Sequence, residues 1–131
     1  MSSKPSNPKD AIAHTKPPLE LIPPAAVYWL AMALRNGALK YGRWNWREAG
    51  ARSDVYIGAM LRHVFAWASG EDLDPESRLP HLAHVLANAA IVLDADLHDK
   101  LIDNRHTVGE SAPEAALRAH LAELVGGNHA T

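Results

Sequence analysis

The sequence contains no cysteine, and its other scarcities are also informative. The absence of cysteine excludes disulfide bonds, a thiolate nucleophile and zinc sites built from thiolates. No apolar stretch approaches the roughly 18 residues that span a bilayer. The first residues, Met1 to Pro5, lack the apolar segment of a signal peptide. We therefore expect a single cytoplasmic domain without membrane contact, since 131 residues of which 47% are hydrophobic can form one core.

The net charge is small, but the charged residues are unevenly distributed along the sequence. The formal net charge is −2. Residues 1–62 carry nine Lys and Arg against four Asp and Glu, giving +5, whereas residues 63–131 carry four against eleven, giving −7. A protein that binds nucleic acid is usually basic overall, so we expect no nucleic-acid partner. The asymmetry indicates a basic surface facing an acidic one across a site or subunit contact, unless it is chance scatter.

Alanine is abundant and β-branched residues are few, so the sequence predicts an all-α fold, a small four-helix bundle. Five prolines within residues 1–23, followed by Pro24, predict that residues 1–23 form an extended arm. The predicted helices run from Pro24 to about Lys40, from about Asp54 to Ser69, from about Leu79 to His98, and from the capping box Ser111 to Glu114 as far as Gly126 and Gly127. Residues 41–47 and 108–113 are predicted to be loops.

Helical spacing also predicts the core. Its residues would be Ile57, Met60, Leu61, Val64, Phe65 and Ala68 in the second helix, and Leu82, Val85, Leu86, Ala89, Val92 and Leu93 in the third. Four short helices give a thin core. We therefore expect a homo-oligomer, a dimer or tetramer, that closes some of these faces.

An acidic turn joins the second and third predicted helices. Its carboxylates, Glu71, Asp72, Asp74 and Glu76, repel one another unless a divalent cation neutralises them, although a solvated acidic turn has the same composition. His81, His84 and Asn88 share one helix face, and a hairpin about Asp74 would bring His63 level with His84. This convergence predicts a metal or catalytic site, with manganese, zinc and magnesium all compatible.

A basic and aromatic stretch follows the first predicted helix. It contains Lys40, Tyr41, Arg43, Trp44, Asn45, Trp46 and Arg47. Such groups supply the charge, hydrogen bonds and stacking surface that a nucleoside triphosphate needs. Two alternatives remain: the tryptophans plug the end of the bundle, or the stretch binds single-stranded nucleic acid. The neighbouring acidic turn disfavours the latter.

Several motifs in fixed order resemble the phage dATP/dGTP diphosphohydrolase family over residues 7–106. They are Asn7-Pro8-Lys9-Asp10, Lys16, Leu19, Gly37-Ala38-Leu39-Lys40-Tyr41-Gly42, Asn45-Trp46-Arg47, Arg62-His63, Trp67, Gly70-Glu71-Asp72, Asp74-Pro75, Pro80-His81-Leu82, Leu93-Asp94, Lys100-Leu101, Asp103 and Arg105. The family is similar to the MazG-like all-α nucleotide pyrophosphohydrolases.

The resemblance implies hydrolysis of dGTP, with GTP and dATP as alternatives, to the monophosphate and pyrophosphate. MazZ-like members use this reaction to supply dGMP for 2-aminoadenine nucleotides in a phage. It implies two or more Mg²⁺ or Mn²⁺ ions per site, which would lower the pKa of a bound water. The expected metal ligands are His63, Glu71, Asp74 and His81. Asp72 or His84 would orient the water or act as general base.

The interpretation as a nucleotide pyrophosphohydrolase also predicts the substrate contacts. Lys40, Asn45 and Arg47 would bind the phosphates, and Trp44 or Trp46 would stack on the purine. Lys9, Asp10 and Lys16 would close the site from the arm of the same subunit or a neighbour.

The sequence departs from the MazG-like signature at one set of positions and from the phage dATP/dGTP diphosphohydrolase pattern at another. Arg62-His63 and His81/His84 stand where the MazG-like signature places ExxE and ExxD, and Ala13 and Arg78 stand where the family usually has glycine. Two other functions remain open. An HD-type phosphohydrolase would use His98-Asp99, although His84 and Asp103 are poorly spaced for it. A non-catalytic interaction module would place its histidines and tryptophans in a protein interface.

Overall fold

The computed structural model describes residues 7–106 and 111–130 and confirms an all-α fold. The described residues form the helices α1 (Pro8–Ala13), α2 (Pro24–Tyr41), α3 (Asn45–Ala49), α4 (Ser53–Ala68), α5 (His81–Leu97) and α6 (Ala112–Ala130). They also form a 3₁₀ turn (Leu19–Leu21) and the two-residue strands β1 (Ala51–Arg52) and β2 (Leu101–Ile102). None of these helices combines the length and apolarity needed to cross a bilayer.

The three central helices lie where helical periodicity places them. α2 starts at Pro24, where the fixed φ of proline suits the first turn. α4 and α5 run antiparallel along each other as a hairpin, and α2 packs against α5. Gly70, with φ of +98°, ends the turn after α4 as expected.

The expectation of an extended arm is wrong at two places. Residues Pro8–Ala13 form α1, and Leu19–Leu21 form the 3₁₀ turn. Asn7 accepts a hydrogen bond from the Lys9 backbone N–H, and the Asp10 carboxylate accepts one from the Asn7 N–H. This reciprocal cap starts a helix despite the prolines, because Pro8 occupies the first helical position. Residues 1–6 of the arm and 107–110 of the predicted linker lie outside the described residues.

Two further boundaries are corrected. The loop predicted over residues 41–47 is interrupted at Trp44, whose φ of +59° turns the chain into α3. The fourth predicted helix starts at its capping box, in which Ser111 Oγ accepts from the Glu114 N–H. However, α6 continues through Gly126 and Gly127 to Ala130, so its predicted end is wrong.

A short parallel pairing was not predicted from sequence. Ala51 of β1 lies opposite Leu101 of β2, which joins the start of α4 to the end of α5. Gly50 precedes it with φ of +83°, and a Cβ there would lie 3.0 Å from the carbonyl oxygen of Lys100. This close approach requires glycine.

The core is built mainly from alanine. One buried cluster contains Ala33, Ala83 and Ala87, and a second contains Trp46, Ala51 and Ala95. The predicted core stripes are therefore largely wrong. Several of their large side chains stay exposed on the outer faces of α4 and α5, namely Ile57, Leu61, Phe65, Leu82, Leu86 and Leu93.

Candidate active site

A cleft of about 450 Å³ lies between α2, α4, α5 and the acidic turn. The lining includes seven residues with basic, acidic or imidazole side chains: Lys40, Arg62, His63, Asp74, Glu76, His81 and His84. A second cleft, of about 790 Å³, is lined by apolar residues with Arg35, Arg43, Trp44 and Asp94. We assign the candidate active site to the smaller cleft, because titratable groups of both signs converge there.

Three histidines form the centre of this cleft. His63 of α4 faces His81 and His84 of α5, which confirms the predicted hairpin. His63 Nδ1 lies 2.8 Å from His81 Nδ1. The rings of His63 and His84 stack with centroids 4.6 Å apart and planes 13° from parallel. His81 is 4% exposed, so its ring is held within the protein.

Two carboxylates extend the cluster in different directions. Glu71 Oε1 lies 2.6 Å from His81 Nε2. Asp74 Oδ2 lies 3.7 Å from His84 Nε2 and accepts a hydrogen bond from the Ser77 backbone N–H. Ser77 Oγ is itself 2.7 Å from His84 Nε2. Ser77 therefore links the acidic turn to the histidine cluster.

Burial keeps two of the imidazoles neutral. It lowers the pKa of His63, and the neighbouring His84 lowers it further. Burial also lowers the pKa of His84, although Asp74 opposes that effect. For Asp74, burial raises the pKa, but hydrogen bonds with Ser77 outweigh burial and leave the pKa lowered. At neutral pH the cleft thus combines neutral imidazoles with an ionised carboxylate.

The expected metal ligands are not arranged as a metal site. Across residues 7–106 and 111–127, no three His, Asp or Glu side chains converge in a way that would hold a metal ion. Both ring nitrogens of His81 have other partners, His63 and Glu71. The donors present therefore do not fit a metal centre, and we assign no protein ligand to a cation. A requirement for a divalent ion stays a prediction.

Of the expected phosphate ligands, Lys40 and Asn45 line the cleft. Lys40 Nζ lies 2.7 Å from Glu76 Oε1, and this hydrogen bond raises the pKa of Lys40. Both side chains are well exposed, so the pair can open in water at little cost.

Arg47 and Trp46, which we expected to contact the substrate, are hydrogen-bonded to Asp94, and their contact with substrate stays a prediction. Arg47 makes two hydrogen bonds to the Asp94 carboxylate, at 2.7 and 2.8 Å, and the indole N–H of Trp46 donates to the same group at 2.7 Å. Trp46 is buried and also lines the cleft. Trp44 packs against Arg47 and lines the second cleft.

The remaining expected site residues do not line the cleft. The side chain of Asp72 is exposed, and its carbonyl oxygen accepts a hydrogen bond from the His81 N–H. Lys9 and Asp10 belong to α1 and its cap, and Lys16 is exposed after it. Among residues 7–106 and 111–127, these four are thus absent from the lining.

Sequence reasoning did not assign a role to three lining or linking residues. Tyr56 lies two helical turns before His63, so its spacing alone places it on the same face. For Arg62, the only indication in the sequence is its place in the Arg62-His63 pair. Ser77 has none, because its contact with His84 depends on how the turn folds.

The HD-type alternative loses its support. His98 and Asp99 end α5, and His98 Nδ1 is 2.8 Å from the Asp94 carbonyl oxygen. Neither residue lines the described cleft.

The molecule is thus a small helical protein with a histidine-rich cleft, and comparison with known proteins places it in a family. Residues 6–105 match the family model described as "dATP/dGTP diphosphohydrolase, N-terminal". Since this match covers most of the chain, the protein belongs to that family. A protein of Salmonella phage PMBT28 named "dATP/dGTP diphosphohydrolase" is 32% identical over 102 residues, which cover 78% of this chain and 32% of the phage protein. The chain thus corresponds to about a third of that relative. No solved structure matches.

Proposed function

We propose that this protein hydrolyses a purine deoxynucleoside triphosphate, dGTP or dATP, to the monophosphate and pyrophosphate. Family membership and the name of the phage relative support the reaction class. The observation that carries the proposal is the cleft itself, in which His63, His81 and His84 lie beside Asp74 and share one space with Lys40 and Arg62. Proton acceptors and cations in one cleft are what phosphoanhydride hydrolysis requires.

The cations would bind the triphosphate. Lys40 and Arg62 line the cleft from α2 and α4, and phosphate oxygens would compete with Glu76 for Lys40. The cleft volume falls within the range typical of small-molecule sites. Asn45, Tyr41 and Tyr56 also line it and offer an amide and two aromatic rings to the nucleoside.

The chemical step is attack of water on the α-phosphorus. A bond forms between the water oxygen and phosphorus, the bond from phosphorus to the bridging oxygen breaks, and pyrophosphate leaves. The proton of the water passes to a group in the cleft. Any divalent cation enters this proposal bound to the triphosphate of the substrate, where it neutralises charge.

The proposal is tested with a panel of dNTPs and NTPs, each with Mg²⁺, Mn²⁺ or EDTA, and with products separated by chromatography. We expect dGTP or dATP to give equal amounts of monophosphate and pyrophosphate. Release of triphosphate or free phosphate would contradict this reaction. No turnover with any metal by folded protein would leave the interaction module as the function.

Matched arginine variants locate the site. Arg62→Met should lower kcat/KM by about 10-fold or more, because one charge-assisted contact to phosphate is lost. Arg43→Met removes an arginine from the second cleft and should leave the kinetics unchanged. If Arg43→Met impaired the kinetics and Arg62→Met did not, the active site would lie in the second cleft.

The role in 2-aminoadenine metabolism is a further part of this proposal. It requires that dGTP be the preferred substrate, since dGMP is then the product. Comparing kcat/KM for dGTP, dATP, GTP and the 2-aminoadenine deoxynucleoside triphosphate decides it. A preference for dATP would favour removal of adenine nucleotides instead.

A further inference from the structure

Gly58 lies in the interior of α4, one helical turn before Arg62. Glycine weakens the interior of a helix relative to alanine, because it gives the unfolded chain more conformational freedom. A Cβ built on Gly58 would lie 3.2 Å from Nη1 of Arg62 and 4.0 Å from its Cζ. The missing side chain therefore leaves space that the Arg62 guanidinium uses.

The other helical glycines differ from Gly58 in this respect. A Cβ on Gly37 of α2, or on Gly126 or Gly127 of α6, would have no such neighbour within 4 Å. Among the glycines in the described helices, only Gly58 thus makes room for another side chain. Side chains of an α-helix lean towards the turn before them, so Arg62 reaches back over position 58 in particular.

No polar contact fixes the Arg62 guanidinium. Among residues 7–106 and 111–127, it makes no hydrogen bond or ion pair. Arg62 lines the candidate active-site cleft, whereas Gly58 is not part of the lining. The position of the guanidinium therefore depends on its contact with α4 at Gly58. A side chain at that position would act on the cleft through Arg62 rather than by touching the substrate.

We propose that Gly58 is a positioning residue for the hydrolysis reaction: it lets the Arg62 guanidinium lie against α4, where its N–H donors can bind the triphosphate. This role rests on the hydrolysis proposed above. A planar guanidinium that lies against the helix leaves room for phosphate oxygens and can bind two of them at once. A Cβ at position 58 would displace it from this position.

Two substitutions of increasing size test the positioning role. Gly58→Ala should lower kcat/KM for dGTP or dATP by about 3- to 10-fold, because a small displacement of a positioned group costs rate. Gly58→Leu places a larger side chain where the guanidinium lies and should cost about 10-fold or more, as Arg62→Met does. Alanine and leucine are both good helix formers, so α4 should persist. Gly126→Ala fills a helical glycine with open surroundings and is the control with unchanged kinetics.

Thermal stability distinguishes displacement of Arg62 from misfolding. Gly58→Ala should raise Tm by a few degrees while kcat/KM falls, because alanine favours the helix and the long Arg62 side chain can move aside. Thermal unfolding followed by circular dichroism measures this. A fall in Tm would show that movement of Arg62 does not accommodate the added Cβ, and would contradict the proposal.

A double-mutant cycle shows whether Gly58 acts through Arg62. In the Arg62→Met background, Gly58→Ala should cause no further loss of kcat/KM, because the guanidinium is already absent. The same cycle applies to the Kd of inorganic tripolyphosphate with Mg²⁺, measured by isothermal titration calorimetry. A merely structural glycine would give the same fold-change in both backgrounds, and that result would refute the proposal.

The outcomes separate the two proposals. Unchanged kcat/KM in both Gly58 variants, with hydrolysis intact in the wild type, would refute the positioning role and leave the proposed function standing. Absence of hydrolysis by the wild type would refute the proposed function. The Kd of tripolyphosphate would then still report on Gly58, and an unchanged Kd in Gly58→Leu would refute the positioning role as well.

Discussion

Arg78 adopts a left-handed backbone conformation, with φ of +64°, in the turn between α4 and α5. Side chains other than glycine disfavour this region by about 1–2 kcal/mol. The unfolded chain gains freedom when glycine is introduced, which offsets part of the gain. Glycine is the residue that the resemblance leads us to expect at this position.

Arg78→Gly should therefore stabilise the protein by about 0.5–1 kcal/mol and raise Tm by a few degrees. Thermal unfolding followed by circular dichroism measures this. Arg78→Ala is the matched control, because it removes the same side chain but keeps the strain. Equal stabilisation by both substitutions would show that the side chain, not the backbone, is unfavourable.

Asp94 contributes to the fold through its ionised carboxylate, which binds Arg47 and Trp46. Hydrogen bonds from Arg47 and then Trp46 hold the pKa of its carboxyl well below the ordinary value. A carboxyl whose pKa is depressed by folding contributes its full stabilisation above its unfolded pKa, near 4. This contribution declines below that pH and is lost only as pH falls through the folded pKa.

Asp94→Asn should thus destabilise the protein at pH 7, and by a smaller amount at pH 3, where the contribution has begun to decline although the folded-state carboxyl is still ionised. Urea unfolding at the two pH values gives the difference. The exposed Asp96, two residues along α5, supplies the control variant Asp96→Asn. If Asp94→Asn costs the same stability at both pH values, the carboxylate charge does not contribute.

At the scale of single elements, the start of α4 depends on a residue distant in sequence. Asn104 Oδ1 accepts hydrogen bonds from the Asp54 backbone N–H at 2.9 Å and from Ser53 Oγ at 2.6 Å. Arg52, the residue before the helix, makes no side-chain cap hydrogen bond. Asn104 therefore does for α4 what an N-cap residue does in other helices.

Asn104→Ala should lower the free energy of unfolding by about 1 kcal/mol, a typical cost for a lost N-cap. Chemical denaturation measures it. Asn104→Asp keeps the acceptor oxygen and should retain most of the stability. If Asn104→Asp is as unstable as Asn104→Ala, the acceptor is not what stabilises the helix.

Much of the element structure is predictable because it is local. The 3.6-residue periodicity of α2, α4 and α5 and the Ser111 to Glu114 cap are readable without tertiary information. α3 is too short for a periodic signal, and α1 is obscured by prolines that in fact suit its first turn. The pairing of β1 with β2 joins residues 50 positions apart, which no local pattern indicates.

The candidate site divides in the same way. The convergence of His63, His81 and His84 follows from helix spacing and one hairpin, so it was predicted. The ion pair between Arg47 and Asp94 was not predicted. Charge and spacing in the sequence do not show which carboxylate a cationic side chain contacts across the bundle. The convergence of histidines and carboxylates on the hairpin also suggested metal ligands, and that hypothesis stays a prediction, since His63 and His81 lie against each other in this structure.

At the scale of the whole molecule, the exposed apolar faces of α4 and α5 determine its behaviour in solution. Phe65 is 63% exposed and Leu93 is 73% exposed. Large apolar side chains exposed along two neighbouring helices are typical of an interface. We expect it to be covered by a second copy of the chain.

The wild-type protein should therefore sediment as a dimer or tetramer, with a Tm that rises with protein concentration. Phe65→Glu should shift it towards monomer, because a charge would be buried in the interface. Tyr28→Glu, on an exposed position of α2, is the control. A wild type that is monomeric at all concentrations would contradict this expectation.

The alanine contacts between α2 and α5 have a calorimetric consequence. Alanine exposes little apolar surface when the chain unfolds, and exposed apolar surface is what raises the heat capacity of the unfolded state. An isolated protomer held together at Ala33, Ala83 and Ala87 should have a heat-capacity increment below the usual value of about 12–15 cal/mol/K per residue. Its stability curve would be correspondingly flat, and assembly would restore the curvature.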